Sequence, residues 1–318
     1  MEILRLVRYK NLLIVAATML LVRYFIMEPI LHSFGFELQL GLLSFAMLVM
    51  ATVCITAAGY VINDYFDTRT DLVNRPQTVV VGKSVSRRMA IAIHMVLSAL
   101  GIFLGLLVAI KIGRPIFSLL FVLATGVLWF YSTTYKRQLI IGNLVVATLT
   151  GLVPLIPLIF EYPLFDIYWD VIALYHINLY KMVYWVGGYA LFAFLLTFVR
   201  EIVKDIEDFE GDTVYGRNTI PVHFGIKASK IIASSLLMIT LIVLIFLFAS
   251  YMRFLPSGKF DYYTFIYFVL FILVPIFVLF VMLLLAQNKD DYHKASRMNK
   301  FIMLFGLLYT FVFRWLII

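Results

Sequence analysis

Residues 39–71, QLGLLSFAMLVMATVCITAAGYVINDYFDTRTD, carry the chain out of a long apolar run and straight into a cluster of carboxylates. No charged side chain lies between Glu37 and Asp64. A run of that length matches a hydrocarbon core about 30 Å thick when wound at about 1.5 Å per residue. Hydrocarbon offers no partners to backbone N–H and C=O groups, so a segment inside it must be a helix or part of a closed barrel. The run lacks the two-residue alternation of barrel strands, and it reads as a membrane helix ending in Asp64, Asp67 and Asp71. The same DxxDxxxD spacing returns 141 residues later as Asp205, Asp208 and Asp212. Carboxylates are costly near a bilayer, and a common physical reason to keep them there is to hold a cation or relay charge.

The rest of the chain agrees with that reading. Of its 318 residues, 63% are hydrophobic and 14% charged, with mean hydropathy +0.99, a composition far from that of a soluble domain. Nine apolar runs stand out, near 11–30, 39–61, 88–110, 115–133, 138–160, 182–203, 229–250, 262–286 and 299–318. The expected architecture is therefore all-α and integral to the membrane, a single polytopic domain over residues 1–318. Each acidic motif follows a span, four spans apart, which suggests a pseudo-repeat of roughly 1–135 and 136–318. Pro154 and Pro157 in the fifth run and Pro275 in the eighth mark expected kinks. The first run is long and lacks a small-residue cleavage site, so it is expected to stay as a span rather than act as a signal peptide.

Of the 26 Lys and Arg, 19 fall in alternate loops, among them Arg5, Arg8, Lys10, Arg69, Arg75, Lys136, Arg137, Arg200 and Lys204. By the positive-inside rule this places the N-terminus and both acidic motifs on the cytoplasmic face and the C-terminus outside. The net charge of +8 is then a topology signal with attraction to anionic membrane lipid, and no nucleic-acid partner is expected. Cys54, the single cysteine, excludes an intramolecular disulfide and reads as a small buried hydrophobe.

On a helix, Asn63, Asp67 and Asp71 form an i, i+4, i+8 stripe with Asp64 beside it. In the second copy Glu201, Asp205, Asp208 and Asp212 fall within roughly 60° of one another on a continuous helix, with Glu207 and Glu210 turned elsewhere. Carboxylate and amide oxygens are hard ligands suited to Mg²⁺, which keeps some waters and completes its shell with substrate phosphate. Neither motif holds His or Cys, which argues against zinc or an iron–sulfur cluster. Asn63, Asp64, Asp67, Asp71, Asp205, Asp208 and Asp212 are thus the candidate metal ligands. A divalent-cation transporter would also use paired acidic stripes, but it needs polar residues through the whole bundle, and the other spans carry few.

The segment Asn63-Asp64-Tyr65-Phe66-Asp67-Thr68-Arg69-Thr70-Asp71, followed by Asn74-Arg75-Pro76, resembles the first signature of the UbiA-type superfamily of intramembrane prenyltransferases. Residues 200–212, REIVKDIEDFEGD, resemble its second signature, with Arg217, Thr219 and Pro221 similar to its continuation. Tyr131-Ser132 through Lys136, with Gly142-Asn143 beyond, resembles the region of the fourth and fifth helices. The resemblance implies nine helices around a central cavity, capped on the cytoplasmic side by the two motifs. It further implies an isoprenyl diphosphate substrate bridged to the aspartates by Mg²⁺, so that metal and cationic side chains stabilise the charge growing on the leaving diphosphate. Asp67, Asp71, Asp208, Asp212, Lys136 and Tyr131 are the candidate catalytic residues. Arg75, Lys136, Lys204 and Arg137 are the candidate diphosphate contacts.

The wording of the second signature is closest to the branch that transfers geranylgeranyl groups to geranylgeranylglyceryl phosphate. An aromatic acceptor such as 4-hydroxybenzoate or a naphthoate, or haem, is the alternative. Gln77-Thr78-Val79-Val80-Val81-Gly82-Lys83 stands where many members carry Arg-Pro-Ile-Pro-Ser-Gly, a departure that bears on the acceptor rather than on the metal.

Overall fold

The computed structural model of the chain describes residues 2–177, 179–252 and 258–317, so Ile318, at the end of the last expected span, lies outside the described residues. Among the described residues it is helical, with α1 (Glu2–Leu6), α2 (Tyr9–Ser33), α3 (Leu42–Asn74), α4 (Arg87–Lys111) and α5 (Pro115–Thr133) in the first part of the chain. Helices α6 (Ile141–Leu152), α7 (Leu155–Phe160), α8 (Pro163–Leu174), α9 (Tyr180–Glu207) and α10 (Phe209–Val214) follow. The chain closes with α11 (Ile220–Met252), α12 (Tyr262–Leu285) and α13 (Lys289–Ile317).

Eight of these, α2 to α5, α9 and α11 to α13, are long and apolar enough to cross a membrane. The expected run 138–160 departs from a single span. It is built as α6 and α7, broken at Val153 and Pro154, because proline lacks the N–H that the helical ladder needs and crowds the preceding turn. Polar contacts hold both ends of the pair. Asn143 Nδ2 donates to Asp205 Oδ2 at 2.7 Å near its start, and Glu161 just past its end accepts from the backbone N–H of Leu40 at 2.8 Å. Glu161 and Arg23 are both buried there, with 3.6 Å between the carboxylate and the guanidinium. Burial raises the Glu161 pKa above the usual carboxylate range.

Close helix approach rests on small residues. A Cβ on Gly101 of α4 would lie 2.6 Å from Ile55 Cγ1 and 3.0 Å from the Ala51 carbonyl of α3. A Cβ on Gly105 would lie 2.2 Å from the Phe121 ring of α5. Gly105→Ala is expected to destabilise the bundle by about 1–3 kcal/mol, the range of core overpacking, seen as a lower midpoint in detergent-induced unfolding. A wild-type midpoint would show that Phe121 swings aside freely. One apolar core joins α9 with α11, α12 and α13, and another joins α2 to α5 with α7. Cys54 is buried in α3, as its composition implied.

Candidate active site

Helix α3 continues unbroken through Asn63, Asp64, Asp67 and Asp71 to Asn74, so the first motif has the stripe its spacing predicts. The second motif does not lie on one continuous helix. Helix α9 ends at Glu207, Asp208 takes up a non-helical backbone (φ −97°, ψ 9°), and Asp212 sits in the separate short helix α10. A side chain from the first motif's helix fastens this corner. Asn74 Nδ2 donates to the Asp208 carbonyl at 3.2 Å, and Asn74 Oδ1 accepts from the Gly211 backbone N–H at 2.9 Å. A Cβ on Gly211 would lie 2.5 Å from the Asn74 amide, so glycine is what lets that amide reach the corner.

This corner brings the two motifs face to face. Arg217, just beyond α10, donates from Nη2 to Asp67 Oδ1 at 2.5 Å and to Thr70 Oγ1 at 2.9 Å, and from Nη1 to Asp212 Oδ1 at 3.4 Å. One guanidinium therefore ties α3 to the second motif. Lys136 Nζ donates to Asn63 Oδ1 at 3.0 Å and to Asp67 Oδ2, so Asp67, almost fully buried, lies between two cations. The paired carboxylates hold both Lys136 and Arg217 above their ordinary pKa values against the opposing effect of burial. Arg75 Nη2 bridges both oxygens of Asp208 at 2.9 and 3.0 Å and lies 3.3 Å from Glu207.

Other expected residues fall nearby. The Lys136 ammonium stands 5.9 Å from the Tyr131 ring centroid, within cation–π range. The Arg137 carbonyl accepts from the Asn218 N–H at 3.1 Å, while its side chain makes no ion pair with either motif among the described residues. Lys204 turns to Glu201, 3.1 Å away, rather than to the motif aspartates. Asp64 pairs with Arg8 at 2.7 Å. His94 Nδ1 donates to the Ala58 carbonyl, 3.0 Å away, as a packed helix residue. Asn74 was quoted in the sequence only as part of Asn74-Arg75-Pro76, and Arg217 only as part of a continuation. Their bridging roles depend on contacts across more than 130 residues, with no local pattern to announce them. Asn74→Ala strips a buried N–H of its partner, a loss of about 1–3 kcal/mol. It is expected to lower transfer at least tenfold while the protein still accumulates in membranes; unchanged kinetics would show that the corner holds without it.

Among the described residues no three His, Cys, Asp or Glu side chains gather tightly enough to cage a metal by themselves. The donor set nevertheless fits Mg²⁺, which takes one or two carboxylates and leaves the rest of its shell to water and phosphate. The Asp71 carboxylate makes no hydrogen bond or ion pair with a described residue, and it stands within electrostatic reach of Asp67, Asp64 and Asp208, with Lys136 the one cation among the neighbours that act on it. Burial, with Asp208 close by, raises the Asp212 carboxyl to about 6 despite the neighbouring Arg217. That is a surplus of crowded negative charge which a divalent cation would relieve.

Residues 15–308 match the UbiA prenyltransferase family. The chain is 28% identical over 303 residues, 93% of either chain, to a digeranylgeranylglyceryl phosphate synthase from Methanosphaera stadtmanae. It is 36% identical over 187 residues, 58% of either chain, to the synthase of that name from Pyrococcus horikoshii. Among solved structures it resembles one of a digeranylgeranylglyceryl phosphate synthase (TM-score 0.63, 23% identity, 98% of this chain and 97% of that one). It also resembles a UbiA homologue from Archaeoglobus fulgidus bound to DMAPP and Mg²⁺ (TM-score 0.54, 16% identity, 98% of this chain and 100% of that one). With the family match running over nearly the whole length, and the two acidic motifs closed on each other, the chain belongs to the UbiA family of prenyltransferases.

Proposed function

We propose that this prenyltransferase moves an isoprenyl group, a geranylgeranyl group being favoured, from its diphosphate to geranylgeranylglyceryl phosphate, in a Mg²⁺-dependent reaction. The observation that carries the reading is the pair of acidic motifs fastened face to face by Arg217 and Asn74. The relatives named as digeranylgeranylglyceryl phosphate synthases support the acceptor. The A. fulgidus homologue bound to DMAPP and Mg²⁺ supports donor and metal.

In this reading Asn63, Asp64, Asp67 and Asp71 on one side and Asp205, Asp208 and Asp212 on the other hold the metal at the cytoplasmic rim, with the N-terminus inside and the C-terminus outside. Bound Mg²⁺ supplies Lewis-acid neutralisation of the diphosphate. Lys136 and Arg75 point donors at the same charge, with Arg137 close behind. The allylic C–O bond breaks with its electron pair leaving on the diphosphate. The acceptor hydroxyl oxygen then forms the new C–O bond and passes its proton to the released diphosphate. Tyr131, beside Lys136, places a ring face where cationic character develops. The apolar bundle keeps water from the cation until the acceptor reaches attack distance.

The test is to incubate purified protein with isoprenyl diphosphates of several lengths and a panel of glycerol-phosphate, 4-hydroxybenzoate, naphthoate and haem acceptors. Products are then identified by mass. The expected product is digeranylgeranylglyceryl phosphate. Transfer to an aromatic acceptor or haem alone would overturn the acceptor assignment.

A further inference from the structure

Four cations lie beside the motifs without joining the Arg217, Lys136 and Arg75 contacts that fasten them. Arg8, at the start of α2, pairs with Asp64 at 2.7 Å and stacks 4.9 Å from the Tyr60 ring centroid. Arg200 and Lys204 of α9 share Glu201, at 2.9 and 3.1 Å. Lys300 of α13 lies within electrostatic reach of Arg200, Lys204 and Arg8, and of Glu201 with the opposite sign, and its side chain makes no hydrogen bond or ion pair with a described residue. Its level is fixed by its neighbour Asn299, whose Nδ2 donates to the Leu196 carbonyl at 2.9 Å. The Arg200 Nε is buried without a partner.

Among the described residues only Asp64 and Glu201 make ion pairs with these four cations, two carboxylates for four positive charges, while Asp71 and Asp205, assigned above to the metal, are the next carboxylates within electrostatic reach. Concentrating like charges so close to a bilayer is unfavourable unless an anion joins them. Depth is informative as well. Helices α3 and α9 both run toward the motif end, so Asp64 lies about 10 Å deeper than Asp71 and Arg200 about 7 Å deeper than Asp205 along their helix axes. The cluster thus sits on the membrane side of the motifs, where an amphiphile arriving from the bilayer would bring its headgroup. A phosphomonoester carries close to two negative charges at neutral pH, which matches the surplus.

We propose that Arg8, Arg200, Lys204 and Lys300 bind the phosphomonoester headgroup of the acceptor, a site separate from the one that holds the donor diphosphate. This rests on the acceptor reading above and assigns the residues that select it. It moves Lys204 from the donor side to the acceptor side. An uncharged glycerol ether lacks the anion this site needs, whereas a phosphatidate in the membrane shares its chemistry and is separated from the acceptor by experiment.

The test has a binding arm and a kinetic arm, on purified wild type and Lys300→Glu. In detergent micelles, wild type should bind an alkylglycerol 1-phosphate at least about tenfold more tightly than the matching alkylglycerol, and Lys300→Glu should erase that preference. In turnover, Lys300→Glu should raise KM for the phosphorylated acceptor at least tenfold and leave KM for the isoprenyl diphosphate within twofold. Lys300→Arg should restore both. Equal binding of the two amphiphiles by wild type overturns the phosphate site. Competition by phosphatidate with an unmoved acceptor KM assigns the cluster to membrane lipid and overturns the acceptor role. Tight binding of the alkylglycerol phosphate without transfer to any phosphorylated acceptor leaves the phosphate site standing and removes the proposed acceptor instead.

Discussion

Asp208→Ala is expected to lower kcat/KM for transfer on the order of a thousandfold while leaving the protein folded and membrane-inserted. The size follows from removing one preorganised electrostatic partner of the reacting charge, which costs about 10²–10³ in rate, with loss of a metal ligand added. The fold survives because the Asp208 side chain is part-exposed and Arg75 keeps Glu207, 3.3 Å away, as an anionic partner. The Asn74 contacts to this corner reach backbone atoms, which alanine retains. Unaltered size-exclusion behaviour with a thousandfold loss is the expected pair of results. Transfer within threefold of wild type would remove Asp208 from the site.

Asp67→Ala is expected to abolish measurable transfer and to cost stability as well. Asp67 is the one carboxylate gripped by both Lys136 and Arg217. Its removal leaves two cations facing each other in a buried place, and breaking buried pairs of this kind costs about 3–5 kcal/mol. Asp67→Asn separates the two consequences. The amide keeps the shape and an acceptor oxygen, so the protein should be more stable than the alanine variant, yet transfer should still fall by two or more orders of magnitude because the negative charge is gone. Wild-type rates in Asp67→Asn would show that Asp67 is only a structural brace for Arg217.

The first motif was legible from sequence because its geometry is local. An uninterrupted helix through Asp71 turns i, i+4, i+8 spacing into one face. The second motif looked the same on paper and is not, because its helix ends at Glu207, at a corner that Asn74 fastens. A capture made across 134 residues leaves no periodicity to read. The fifth apolar run was legible as apolar but not as two short helices, although Pro154 and Pro157 marked the place. Lys136 and Arg75 lie against the motif aspartates, whereas Lys204 turns to Glu201, one helical turn back on its own helix. Spacing alone cannot choose between a partner on the same helix and one on the next.

The central claim is that both motifs together hold a Mg²⁺–diphosphate unit. The most direct measurement is calorimetric titration of an unreactive isoprenyl thiolodiphosphate into the purified protein, with Mg²⁺ and with a chelator. Binding is expected to weaken at least tenfold in the chelator, and by a similar factor with Mg²⁺ present in Asp71→Ala and in Asp208→Ala, one variant from each motif. Equal affinity with and without Mg²⁺, or wild-type affinity in either variant, would contradict the claim.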